Sequence, residues 1–213
     1  MTRPTYWPKA RRALAAADPV MAGIINRFPR IALASRGDPF STLARSIVGQ
    51  QISVKAADAV WARLQGAVPE MTPRAVLRRR ATTLRACGLS ERKVEYLRDL
   101  ALHFDREHID VPTLQAASDE EVIELLTAIR GIGRWTAEMF LIFNLMRPDV
   151  LPLDDLGLLK AISLNYLDGE PTEVLLKRDG RARVTAIAAA WAPWRSVATW
   201  YLWRSLDPVP VEY

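Results

Sequence analysis

The chain has 213 residues, half of them apolar, enough to bury a core in one globular unit or in two small lobes. Lys and Arg number 29 against 24 Asp and Glu, and the resulting charge of +5 suits a polyanionic partner without demanding one. A single cysteine, Cys87, excludes an internal disulfide framework and a cysteine metal cluster, and no apolar run reaches membrane-spanning or signal-peptide form, so a reduced, cytoplasmic protein is expected.

Nearly every periodic stretch has helical spacing. Asp18-Pro19 reads as a cap followed by a first-turn proline, and Thr72-Pro73 repeats the pattern. From Ser41 to Leu64 the residues Leu43, Ile47, Val54, Val60, Trp61 and Leu64 fall roughly on one helical face. Ser90 is placed to cap a helix through Val94, Leu97, Leu100 and Ala101. His103 and His108 have no carboxylate cluster around them and read as surface or structural residues. Ile109-Asp110-Val111 is at most a short extended piece. Ser118 with Glu121 has the capping-box spacing, just ahead of Val122, Ile123, Leu125, Leu126 and Ile129. A helix is expected from about Arg134 to Met146, ended by Pro148, and its dense apolar positions mark it as central. Further helices are expected at about 155–167, 172–177 and 181–206. Neither an internal repeat nor a low-complexity linker is present, and the fold class is all-α.

The segment Ile129-Arg130-Gly131-Ile132-Gly133-Arg134-Trp135-Thr136-Ala137 joins a capped helix to the next one. Two glycines around one apolar residue permit unusual backbone angles and close approach of a ligand. The first N–H groups of the second helix have no partner within it and carry the positive end of its dipole, so a phosphate fits there without sequence preference. The same corner also serves as an ordinary helix–turn–helix joint with a glycine cap.

Downstream lies Val150-Leu151-Pro152-Leu153-Asp154-Asp155-Leu156-Gly157, in which two aspartates open another helix. Capping is one reading of such an aspartate. The other is a carboxylate facing a bound sugar. Breaking an N-glycosidic bond develops positive charge on the deoxyribose, which a fixed carboxylate in a sheltered site stabilises. The same group can orient or deprotonate the attacking water.

Hairpin, proline-containing segment and aspartate together resemble the helix-hairpin-helix DNA glycosylase superfamily, and within it the DNA-3-methyladenine glycosylase II branch. The matching residues are Ser46-Ile47-Val48-Gly49-Gln50-Gln51-Ile52-Ser53, Gly88-Leu89-Ser90 with Lys93 and Tyr96-Leu97, the hairpin Gly131 to Ala137, Leu151 to Gly157, and Pro193-Trp194-Arg195-Ser196. The resemblance spans about Pro39 to Leu206. It implies a two-lobed all-α fold with the active site in the interlobe cleft. One lobe would cover about 40–148 and carry the hairpin; 1–39 and 149–213 would form the other, in a single glycosylase unit.

By motif position the resemblance makes Asp155 the catalytic carboxylate and Asp154 its structural neighbour. Gln51 becomes the side chain that wedges into the duplex. Trp135, Met139 and Trp203 become the base pocket, with Met139 replacing an aromatic residue usual in some relatives. Gly131, Ile132, Gly133, Arg134 and Thr136 become the DNA-backbone contacts. The carbonyls of Thr127, Ile129 and Ile132 would hold a monovalent cation without a part in the chemistry. Seven tryptophans in the chain leave packing as the other reading of each, above all for Trp61, Trp191 and Trp194.

Two substitutions of pattern narrow the activity. Trp135 stands where lyase-active relatives carry an amine nucleophile, and the four cysteines of iron–sulfur relatives are missing, so no cofactor is implied. About forty residues precede the first motif, which leaves no room for the extra N-terminal β-domain of longer relatives. The expected activity is therefore monofunctional excision of alkylated purines such as 3-methyladenine from double-stranded DNA. The enzyme would act as a monomer in base excision repair, and in a bacterium with the nucleoid. A glycosylase for a different damaged base and a non-catalytic hairpin DNA-binding protein are the alternatives.

Overall fold

A computed structural model describes residues 4–206 apart from 31, 35–36 and 107–108, so His108 lies outside the described residues. All its regular elements among these residues are helical. In chain order they are α1 (Trp7–Ala17), α2 (Pro19–Arg27), α3 (Pro39–Gly49), α4 (Val54–Ala67), α5 (Pro73–Arg78), α6 (Ala81–Ala86), α7 (Glu91–Arg106), α8 (Val111–Ala116), α9 (Asp119–Thr127), α10 (Arg134–Phe143), α11 (Leu156–Tyr166), α12 (Thr172–Leu175), α13 (Arg178–Ala188) and α14 (Arg195–Leu206). A 3-10 turn, Ala189–Trp191, follows α13. No helix among the described residues is long and apolar enough to cross a membrane.

Local signals set many of the helix starts. Asp18 Oδ1 accepts from the amides of Val20 and Met21 at 2.8 and 3.1 Å, with Pro19 in the first turn of α2. Thr72 caps α5, and Ser90 Oγ accepts from Lys93 N at 3.2 Å. Ser118 and Glu121 form a reciprocal capping box on α9.

Four expectations need correction. The stretch Ser41–Leu64 is not one helix: α3 ends at Gly49, Gln51 takes φ +58°, and Ser53 caps α4 through Ala56 N. Val54, counted on the apolar face, is 55% exposed, so periodicity had run across a polar break, Gln50-Gln51, and a competing cap. Of Ile109-Asp110-Val111, Val111 already opens α8, and Asp110, extended in backbone, is the N-cap of that helix, its Oδ1 accepting from Thr113 N at 2.9 Å. Helix α10 stops at Phe143, and Met146 turns the chain at φ +56°. The region 181–206 divides at Ala192-Pro193, where proline has no N–H to continue a helix.

Two compact units are present, Met1–Ser35 with Leu141–Glu212, and Arg36–Phe140. The first holds α1, α2, α11, α12, α13 and α14, with Trp7, Leu14, Met21, Ile162, Trp191 and Tyr201 fully buried. The Asp18 cap reaches deeper than its helix: Oδ2 accepts from Tyr166 Oη at 2.7 Å and from Trp191 Nε1 at 2.8 Å, which makes Trp191 a packing residue. The second unit gathers around α7, which packs on α3, α5 and α6 through Val94, Leu97 and Leu100. Its buried partners include Leu43, Ile47, Leu84 and Leu126.

Candidate active site

The hairpin belongs to the unit Arg36–Phe140. After α9, Ile129 N donates to Leu126 O and Ile132 N to Ile129 O, both at 3.1 Å. Gly131 sits at φ +86°, and a Cβ there would lie 2.2–2.7 Å from atoms of the Tyr96 ring, so both the angle and the space require glycine. Ile132 is buried and pins the turn. Gly133 differs: its φ is ordinary and a Cβ would meet nothing within 4 Å, so this glycine leaves open space in front of α10. The α10 ladder opens with Ala137 N donating to Gly133 O at 3.1 Å, leaving the first-turn amides ahead of it outside the ladder. The backbone is thus shaped to receive an anion.

Arg134 is engaged by two carboxylates. Its guanidinium forms a two-pronged pair with Glu120 at 2.8 and 3.0 Å and meets Glu138 Oε1 at 3.2 Å. The hydrogen-bonded Glu120 carboxylate holds it well above the ordinary arginine range. Its side chain is thus paired with two carboxylates of the same chain, one of them exposed and the other buried. Thr136 is buried.

Gln51 is exposed at the tip of the α3–α4 turn. The preceding residue ties this turn to the hairpin: Gln50 Nε2 donates to Gly131 O at 2.8 Å. Trp135 and Met139 lie four residues apart on α10, hence on one face, and both are half-buried.

Asp155 belongs to the other unit. The segment leading to it is fastened to the start of α14. Arg195 forms a bidentate pair with Asp149 at 2.7 Å, Val150 N donates to the buried Ser196 Oγ at 2.9 Å, and Ser196 N donates to Pro148 O at 3.1 Å. Asp155 N donates to Pro152 O at 3.0 Å as the chain turns into α11. The Asp155 carboxylate caps that helix, with Oδ1 accepting from Leu158 N at 2.6 Å, and the same oxygen accepts from Trp203 Nε1 at 2.8 Å. Two donors on one oxygen fix the orientation of the carboxylate of a residue that is 8% exposed. The adjacent Asp154 pairs with Arg181 and is structural.

Trp203 is held in turn by Phe143, with rings stacked at 5.6 Å and 10°. Gly157 completes the corner: a Cβ there would come within 3.2 Å of Asp155 Oδ1 and 3.3 Å of Trp203 Cδ1. Sequence reasoning had read Trp203 only as a ring for stacking. It missed the indole as a donor to the carboxylate, and missed Phe143 altogether; the pattern Phe143, Asp155, Trp203 has no local spacing that would reveal it. Trp61 and Trp191 are buried packing residues, and Trp194 stacks on Tyr6 at 5.8 Å.

A family model, HhH-GPD superfamily base excision DNA repair protein, matches residues 44–184. DNA-3-methyladenine glycosylase 1 of Schizosaccharomyces pombe is 37% identical over 179 residues, covering 79% of this chain and 72% of the relative. The crystal structure of DNA-3-methyladenine glycosidase from Bacillus halodurans superposes with a TM-score of 0.85 at 35% identity, over 97% of this chain and 93% of that one. The Schizosaccharomyces pombe 3-methyladenine DNA glycosylase in complex with abasic DNA gives a TM-score of 0.76 at 31% identity, over 95% of this chain and 100% of that one.

Proposed function

The chain belongs to the HhH-GPD superfamily of base excision DNA repair proteins, and on that premise we propose that it is a monofunctional DNA glycosylase hydrolysing the N-glycosidic bond of alkylated purines, 3-methyladenine and its kin, in double-stranded DNA. The observation that carries the reading is the Asp155 carboxylate, oriented by Leu158 N–H and the Trp203 indole. It works as a monomer on DNA in the cytoplasm, the nucleoid in a bacterium.

Hairpin amides from Gly131, Gly133, Arg134 and Thr136 receive the phosphates, while Ile132, its own amide given to Ile129 O, holds the turn that presents them. Gln51 enters the stack as the damaged nucleotide rotates out, an unstacking that costs a few kcal/mol and less for a damaged pair. Trp135, Met139 and Trp203 receive the base; an alkylated purine carries positive charge, which the π-face of indole attracts. As C1′–N breaks, the bonding electrons leave with the base and neutralise it, so little acid catalysis is required. Positive charge moves to the sugar, where Asp155 stabilises it. Water then adds at C1′, Asp155 accepting its proton, and an abasic site remains. Where the family places a monovalent cation, the carbonyls of Thr127, Ile129 and Ile132 would hold it. Carbonyl oxygens suit such an ion, and Ile129 O, which accepts from Ile132 N, has a second lone pair to offer. The ion would shape the turn for phosphate.

Chromatography of bases released from methylated duplex DNA tests the substrate class. Free 3-methyladenine with no strand breaks is the expected product; intact DNA binding without release of any base would favour a non-catalytic hairpin protein, in which the Asp155–Trp203 arrangement has no use.

Two further results follow. Trp203→Phe keeps the stack on Phe143 but removes the donor to Asp155; single-turnover kinetics should show excision slowed about tenfold with substrate binding little changed. An unchanged rate would remove the indole from the account. Phosphate contacts dominate affinity, so anisotropy titrations should give a log–log salt slope of about −3 or steeper. A flat response would contradict binding through the hairpin amides.

A further inference from the structure

Gln50 and α7 connect two features that the proposed mechanism treats separately, the turn bearing Gln51 and the phosphate-receiving hairpin. Gln50 Nε2 donates to Gly131 O at 2.8 Å. One face of α7 holds both sides of that link, through residues spaced three apart. Lys93 Nζ donates to Val48 O at 2.7 Å, at the end of α3 beside the turn. The Tyr96 ring lies against Gly131. Asp99 Oδ2 accepts from Arg130 N at 2.8 Å, and Oδ1 meets Arg130 Nε at 3.2 Å. Gln51 itself holds φ +58°, a conformation that a non-glycine residue keeps only where its surroundings over-determine it. The turn is therefore not a loose loop carrying a side chain; its backbone is indexed to the hairpin carbonyl from the residue immediately before.

We infer that Gln50 is a positioning residue: through Gly131 O it registers Gln51 to the hairpin, so that seating the hairpin on the backbone delivers the Gln51 side chain into the base stack. The inference rests on the reading of Gln51 as the wedge. It assigns to α7 a working part, a fixed bar between backbone grip and stack entry.

The test uses duplex DNA holding a tetrahydrofuran abasic analogue next to 2-aminopurine, whose fluorescence rises when stacking is broken. The fluorescence change at saturating protein is compared for the parent, Gln50→Leu, Gln51→Ala and the double variant, with thermal melts as a check on folding. Gln50→Leu is expected to lose the change to the level of Gln51→Ala, with the double variant losing no more, since both act on one step. Retention of the parental change in Gln50→Leu, or a double variant that falls below Gln51→Ala, overturns the inference. A parental change in Gln51→Ala overturns the wedge reading itself, whatever Gln50 does. Should Gln50→Leu fail to fold, Gln50→Glu, of equal length but without the amide donor, takes its place. On a lesion that the enzyme excises, Gln50→Leu should slow release from paired DNA about ten- to a hundredfold, the scale of a small misplacement.

Discussion

Asp155→Asn is expected to fold and bind duplex DNA like the parent while excising alkylated bases about 10²–10³ times more slowly, the usual scale for removing one preorganised charge contact. Asparagine keeps an oxygen that accepts from Leu158 N, so the cap on α11 survives. It can also accept from Trp203 Nε1, so the indole stays in place. What it loses is the negative charge. Single-turnover excision beside anisotropy binding separates the two consequences. Asp155→Ala is a poorer test, because losing the cap costs about 0.5–2 kcal/mol of stability by itself. Near-parental excision by Asp155→Asn would reduce Asp155 to a helix cap.

The second large effect is on stability. Gly131→Ala forces a Cβ to within 2.2 Å of Tyr96 Cδ2 in a residue at φ +86°. The left-handed angle costs about 1–2 kcal/mol and overpacking about 1–3 more, so a loss of about 2–5 kcal/mol is expected. Thermal unfolding followed by circular dichroism should show a midpoint lower by roughly 4–20 °C for a chain of this size. The ring that must move also faces the hairpin, so affinity for DNA should fall with it. Gly133→Ala provides the contrast, since nothing lies within 4 Å of its Cβ. A Gly131→Ala protein melting with the parent would mean that the Tyr96 contact is soft and the glycine dispensable.

The contrast between these glycines shows what the sequence could and could not disclose. The motif made them look equivalent, yet only Gly131 is demanded by angle and space, and the atom that demands it comes from Tyr96 on another helix. Short-range features were legible because their physics is short-range: the capping bonds of Asp18, Thr72, Ser90 and Ser118 each reach no further than three residues, whereas the long-range bonds of Asp18 to Tyr166 and Trp191 left no trace in the sequence. The break between α3 and α4 was not legible, because apolar spacing continued in register across Gln50–Ser53. The charge of Arg134 was visible, whereas Glu120, fourteen positions earlier, was not recognisable as its partner. The site itself was divided in the same way. Motif position singled out Asp155 and Trp203, but their bond spans 48 positions, and Phe143 behind the indole is one of many apolar residues on a helix whose dense apolar positions marked it as central.

The most direct test of the account is whether Asp155 recognises positive charge on the sugar. DNA carrying a cationic pyrrolidine in place of the deoxyribose mimics the developing cation; DNA carrying a neutral tetrahydrofuran at the same position does not. The parent should bind the pyrrolidine duplex more tightly, by about a hundredfold or more if the mimic captures transition-state charge, and Asp155→Asn should bind the two alike. An equal preference in both proteins would contradict the assignment of Asp155 as the group that stabilises the sugar cation.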